Sequence, residues 1–76
     1  MSPKLPSVNC EQLVHALKRA GFVEQRQRGS HLHLRREADK KRVTVPMHKG
    51  RAIPPGTLRS ILRDAGITVE EFGELL

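Results

Sequence analysis

The chain has no tryptophan or tyrosine, and its aromatic content is two phenylalanines in 76 residues. Domains that read single-stranded RNA by stacking bases display several exposed rings, so this scarcity disfavours an RNA-recognition-motif or OB-type platform. Cysteine is scarce too: Cys10 stands alone. A lone cysteine excludes an intramolecular disulfide and a four-cysteine zinc site, and it fits a reducing compartment. Its expected place is the first turn of a helix, where it reads as an inert small residue. No apolar run approaches the roughly 20 residues of a membrane span. The opening MSPKLPSVNC lacks the apolar stretch of a signal peptide, so the expectation is a cytoplasmic protein with no membrane partner.

Nucleotide-dependent chemistry is disfavoured, because neither G-x-x-x-x-G-K-[ST] nor G-x-G-x-x-G occurs. Paired-carboxylate catalysis finds little material either. Between residues 18 and 51 the acids are Glu24, Glu37 and Asp39, and two of these fall in a predicted turn.

Positive charge is what the chain does have. Fourteen Lys and Arg against eight Asp and Glu give a net charge of +6 and a pI near 10.5. The excess is uneven: residues 18–51 hold eleven basic side chains and three acidic ones, whereas the last thirteen residues carry four acids and no base. Such a field draws a polyanion to one region, and nucleic acid is the commonest polyanionic partner of a small domain.

The size allows one domain over residues 1–76, with residues 1–8 expected as a flexible N-terminus and a small core. Asn9 followed by Gln12 fits a capping box, and Leu13, Ala16, Leu17 and Ala20 keep helical spacing up to the stop at Gly21. Phe22 to Arg28 reads as a strand, Gly29-Ser30 as a turn, and residues 31–36 as a second strand. EADKK is a polar turn, and RVTV is a third strand closed by Pro46. Alternation places Leu32, Leu34, Val43 and Val45 inward, and His31, His33, Arg35, Arg42 and Thr44 outward.

After an irregular loop, Pro54-Pro55 opens a helix with Leu58, Ile61, Leu62 and Ala65 inward and Gly66 as its stop. Thr68 and Glu71 cap a short acidic helix with Val69, Phe72 and Leu76 on one side. The sum is an α+β fold in two layers: helix, three-stranded antiparallel sheet, helix, short C-terminal helix. It resembles the double-stranded-RNA-binding-domain arrangement.

The chemistry concentrates in RQRGSHLHLRR, residues 26–36. His31, His33 and His48 together offer three imidazoles, but the spacing alone is weak evidence for a metal and no metal is assigned. The sharper reading is acid–base work by one histidine. Imidazole exchanges protons near neutral pH, and RNA carries its own nucleophile in the 2′-hydroxyl. The protein then has to align that hydroxyl and surround the phosphate with cations, which Arg26 and Arg28 supply beside His31. From composition alone, His31 also reads as an ordinary surface histidine in a hairpin.

Three stretches together resemble the HicA family of toxin ribonucleases: GSH in the hairpin, VPMHKGRAIPPGTLRSILRDAGI after the third strand, and LVHALKRAGF at the front. The resemblance covers most of the chain. It implies a double-stranded-RNA-binding-like fold and the toxin of a type II toxin–antitoxin system. The activity implied is that of an mRNA interferase cutting RNA with no dissociable metal and no cofactor. Its partners would be single-stranded RNA or mRNA and a HicB-like antitoxin. By the same resemblance His31 is the catalytic histidine, with Gly29 and Ser30 shaping its turn. His48 matches the Pro-x-His position and, with Lys49, is expected to position substrate.

No family role transfers to His33. His15 reads as a surface side chain and Thr57 as structural. The second acid–base group is left open among Lys40, Lys41, Lys49 and a water. A non-catalytic nucleic-acid-binding module is the alternative, and a domain whose basic face meets an acidic protein is a third reading.

Overall fold

The computed structural model describes residues 4–76; residues 1–3, part of the expected flexible tail, lie outside the described residues. The elements follow as α1 (Cys10–Arg19), β1 (Val23–Arg28), β2 (His31–Arg36), β3 (Lys41–Pro46), α2 (Pro55–Ala65) and α3 (Val69–Leu75). The strands form one antiparallel sheet in the order β1-β2-β3, which is the α+β architecture expected.

Local chemistry sets the boundaries. The Asn9 side chain accepts from the Gln12 N–H at 2.8 Å while the Gln12 side chain accepts from the Asn9 N–H at 2.9 Å, so the first helix starts on a reciprocal cap. Thr68 and Glu71 repeat the device at α3. Pro55 opens α2, where its missing N–H is no loss, and Gly66 ends it in the left-handed conformation. A side chain at Gly66 would be strained by that backbone and would also meet the Lys41 Cε at 2.9 Å.

Leu32 and Leu34 of β2 and Val43 and Val45 of β3 are buried against Leu13 and Leu17 of α1, Leu58, Ile61 and Leu62 of α2, and Phe72 of α3. Each such side chain contributes on the order of 1.5–3 kcal/mol through burial. In α3 the expected apolar stripe is corrected by one position: Leu75 packs on the core, while Leu76 is 44% exposed. Before α1, Val8 is buried and its carbonyl accepts from the Ile53 N–H at 2.8 Å, tying the entry of the domain to the loop that precedes α2.

Both long helices pack toward β3. Strand β1 lies at the far edge and every one of its residues is exposed. A uniform alternation along this strand does not hold. The register pairs Val23 with Arg35 and Glu24 with Leu34, then slips so that Arg26 faces His33 and Arg28 faces His31. The extra residue is Gln25, and a bulge of this kind re-aims the side chains that follow it.

Candidate functional site

Arg28 and His31 are paired in register, and two residues, Gly29 and Ser30, connect them. Gly29 has a φ of +57° and Ser30 is not left-handed, the pattern of a tight hairpin turn with glycine at its first central position. The Gln27 side-chain amide donates to the Gly29 carbonyl at 3.0 Å and braces the turn. His31 therefore stands as the first residue of β2, exposed, with Arg28 on one side and Pro46 on the other.

The Ser30 carbonyl accepts from the Met47 N–H, so the hydrogen bonding of the sheet runs one step past Pro46 into the following loop. That loop folds back where the Arg51 N–H reaches the His48 carbonyl at 3.3 Å. The structure thus ties the segment carrying His48 and Lys49 to the Gly-Ser-His turn, with both side chains exposed. Among the described residues, His31, His33 and His48 are not gathered with other donors into a three-ligand metal group.

Cross-strand partners share a face, so the register sets two rows across the open side of the sheet. One is Arg28, His31 and Pro46; the next is Arg26, His33 and Thr44. Thr44 Oγ1 and His33 Nδ1 lie 3.1 Å apart. Among the described residues Arg26, Arg28 and Arg42 have no ion-pair partner, whereas Lys18 pairs with Glu24 and Lys40 with Glu37 at 2.6 Å. Unpaired guanidinium groups around an exposed imidazole are suited to holding a phosphodiester while a proton is exchanged.

The basic run from Arg35 to Arg42 does not act as one patch. Arg36 turns toward the helices: its Nη1 donates to the Ala20 carbonyl at 3.0 Å, its Nη2 to the Ala65 carbonyl at 2.9 Å, and Asp39 holds it bidentately at 2.8 and 3.0 Å. The guanidinium also lies 4.6 Å from the centre of the Phe22 ring. Hydrogen bonding to Asp39 raises the pKa of Arg36, and the same contact holds the Asp39 carboxyl below its usual range. The aliphatic part of the Lys41 side chain lies beside Gly66, and among the described residues neither Lys41 nor the exposed Arg42 has an ion-pair partner.

A groove of about 990 Å³ is lined by Arg26, His33 and Arg42 of the sheet and by Thr57, Ser60 and Asp64 of α2, but not by His31. The sequence places His33 and Thr44 outward and offers His33 only as a possible metal ligand, and it gives no role to Gln27. The cross-strand register and the turn geometry bring them to the site.

The chain also compares with known proteins. Residues 10–67 match the model of a family described as the HicA toxin of bacterial toxin–antitoxin systems. No curated protein matches the chain closely enough to add a relative. The matched span begins at α1 and ends at Ile67, just past the Gly66 stop of α2, so it contains the whole hairpin and both rows of the open face.

Proposed function

The chain belongs to the HicA toxin family of bacterial toxin–antitoxin systems, and from that premise we propose that it is an mRNA interferase, an endoribonuclease whose catalytic histidine is His31. The observation that carries this reading is the placement of His31 on a fixed two-residue turn, exposed and directly opposite the unpaired Arg28.

His31 exchanges a proton with the RNA at the scissile phosphodiester. Arg26 and Arg28 bind its phosphates from β1, and Lys49 and His48 approach from the loop tethered through Ser30. Gly29 supplies the left-handed turn residue, and Ser30 supplies the carbonyl that holds the loop. The reaction draws its nucleophile from the RNA 2′-hydroxyl and uses no removable metal.

Family membership implies an antitoxin partner, and the reading names a HicB-like protein that covers the Gly-Ser-His face with acidic groups or bulk. No helix among the described residues is long and apolar enough to cross a membrane, and the proposed place of action is the cytoplasm.

The test is cleavage of a labelled single-stranded RNA by the protein and by His31→Ala in excess EDTA, with RNA affinity measured in parallel. Cleavage by the unaltered protein, lost in the variant while binding is kept, supports the reading. Equal binding with no cleavage by either protein returns the chain to a nucleic-acid-binding module.

A further inference from the structure

Moving the phosphorus from O5′ to O2′ requires two proton transfers, and His31 accounts for one. We propose that His33 is the second acid–base group of this cleavage, with Thr44 engaging its Nδ1 so that Nε2 is presented to the scissile phosphodiester beside His31. This inference rests on the ribonuclease reading above.

Alternate residues of a strand share a face and are separated by about 6.6 Å along it. In an in-line displacement the attacking and leaving oxygens stand on opposite sides of the phosphorus, so a base and an acid have to flank the phosphate. Two imidazoles one strand repeat apart on the same face meet that requirement. The lysines considered for the second role lie off this face: Lys40 is paired with Glu37, Lys41 runs beside Gly66, and Lys49 sits on the exposed loop after β3.

His33 is also held better than an ordinary strand histidine. Its Nδ1 is 3.1 Å from Thr44 Oγ1, its own cross-strand partner, and the residue is half-buried. Engaging one ring nitrogen fixes the orientation of the other, which is how a histidine is prepared for proton transfer. The charged and titratable groups around it are Arg26 and Arg28 on β1, His31 and Arg35 on β2, Arg42 on β3, and Asp64 of α2, which lines the same groove.

The step balances with these residues alone. One imidazole takes the proton from the 2′-hydroxyl as the O2′–P bond forms. The P–O5′ bond breaks with its electron pair on O5′, and the other imidazolium gives its proton to that oxygen. The products are a 2′,3′-cyclic phosphate and a 5′-hydroxyl, and no oxidant, reductant or water enters.

The experiment measures the pH–rate profile of RNA cleavage by the unaltered protein and by His33→Ala and His33→Gln. It then repeats the assay for His31→Ala and His33→Ala on an RNA with sulfur in place of the bridging 5′-oxygen. Both His33 variants are expected to cut on the order of 10²- to 10³-fold more slowly, with one limb of the bell-shaped profile gone. The sulfur leaving group needs no proton, so one of the two alanine variants recovers on it, which identifies the acid.

Cleavage by His33→Ala within about threefold of the unaltered protein, with both limbs present, overturns the proposal. So does recovery by glutamine, which restores the contact to Thr44 but cannot titrate, and so does failure of the sulfur substrate to rescue either variant. Absence of cleavage by the unaltered protein is a different failure, because it removes the ribonuclease reading itself.

Discussion

The two hairpins of the sheet are built from similar residues and do opposite things. At the β2–β3 end, two cations are engaged within the fold and Arg42 is left unpaired: Arg36 joins the Ala20 and Ala65 carbonyls at the ends of α1 and α2, and Lys40 pairs with Glu37. At the β1–β2 end, Arg26 and Arg28 have no ion pair and flank an exposed histidine. A guanidinium already bonded to two helix-terminal carbonyls and a carboxylate has few donors left for RNA. Charge count therefore overstates the cations free to meet a polyanion, because Arg36 and Lys40 are already engaged within the fold.

The largest effect expected from breaking this contrast is at His31. His31→Ala should lower RNA cleavage about 10³-fold. Because the side chain is exposed, the melting temperature should not change, and calorimetry beside the cleavage assay checks both. Arg36→Ala is the mirror experiment. Removing donors to two helix-terminal carbonyls should lower stability by about 3 kcal/mol, a fall in melting temperature on the order of 15 °C, while the folded fraction binds RNA as before.

Replacing Arg26 and Arg28 together by alanine should weaken RNA binding about tenfold and make the slope of log K against log salt shallower by about 1.4, since two phosphate contacts to a single strand are lost. Alanine at Lys40, which is paired with Glu37, should leave the slope nearly unaltered.

The smallest effect is at Asp39. Its folded pKa is depressed by the Arg36 hydrogen bond, so it adds stability above the ordinary carboxyl range, lost as pH falls through the lowered value. Asp39→Asn should be slightly less stable than the unaltered protein at pH 7. The gap should close as pH falls below about 4, as followed by thermal melts across acid pH.

Much of this architecture was legible before any coordinates. Asn9 with Gln12, Thr68 with Glu71, and Gly66 announce helix ends because their chemistry acts within a few residues. The alternation of Leu32, Leu34, Val43 and Val45 announces the buried side of the sheet, since the pleat fixes it. The Gly-Ser-His turn was readable for the same local reason.

What was not legible depended on partners distant in sequence. Nothing in VEQRQR marks Gln25 as the extra residue, because a bulge is defined by the strand opposite. Arg36 reads as one more cation until the Ala20 and Ala65 carbonyls converge on it from 16 and 29 residues away. The sequence gives His33 no partner of its own, because its contact with Thr44 exists only in the register of β2 against β3.

The division between the two ends is tested most directly by comparing His31→Ala with Arg36→Ala in one RNA-cleavage assay, run well below the melting temperature of each. Folded Arg36→Ala should cut at close to the rate of the unaltered protein, and fully folded His31→Ala about 10³-fold more slowly. An active His31→Ala, or a folded but inactive Arg36→Ala, would contradict the assignment of catalysis to one end of the sheet and structure to the other.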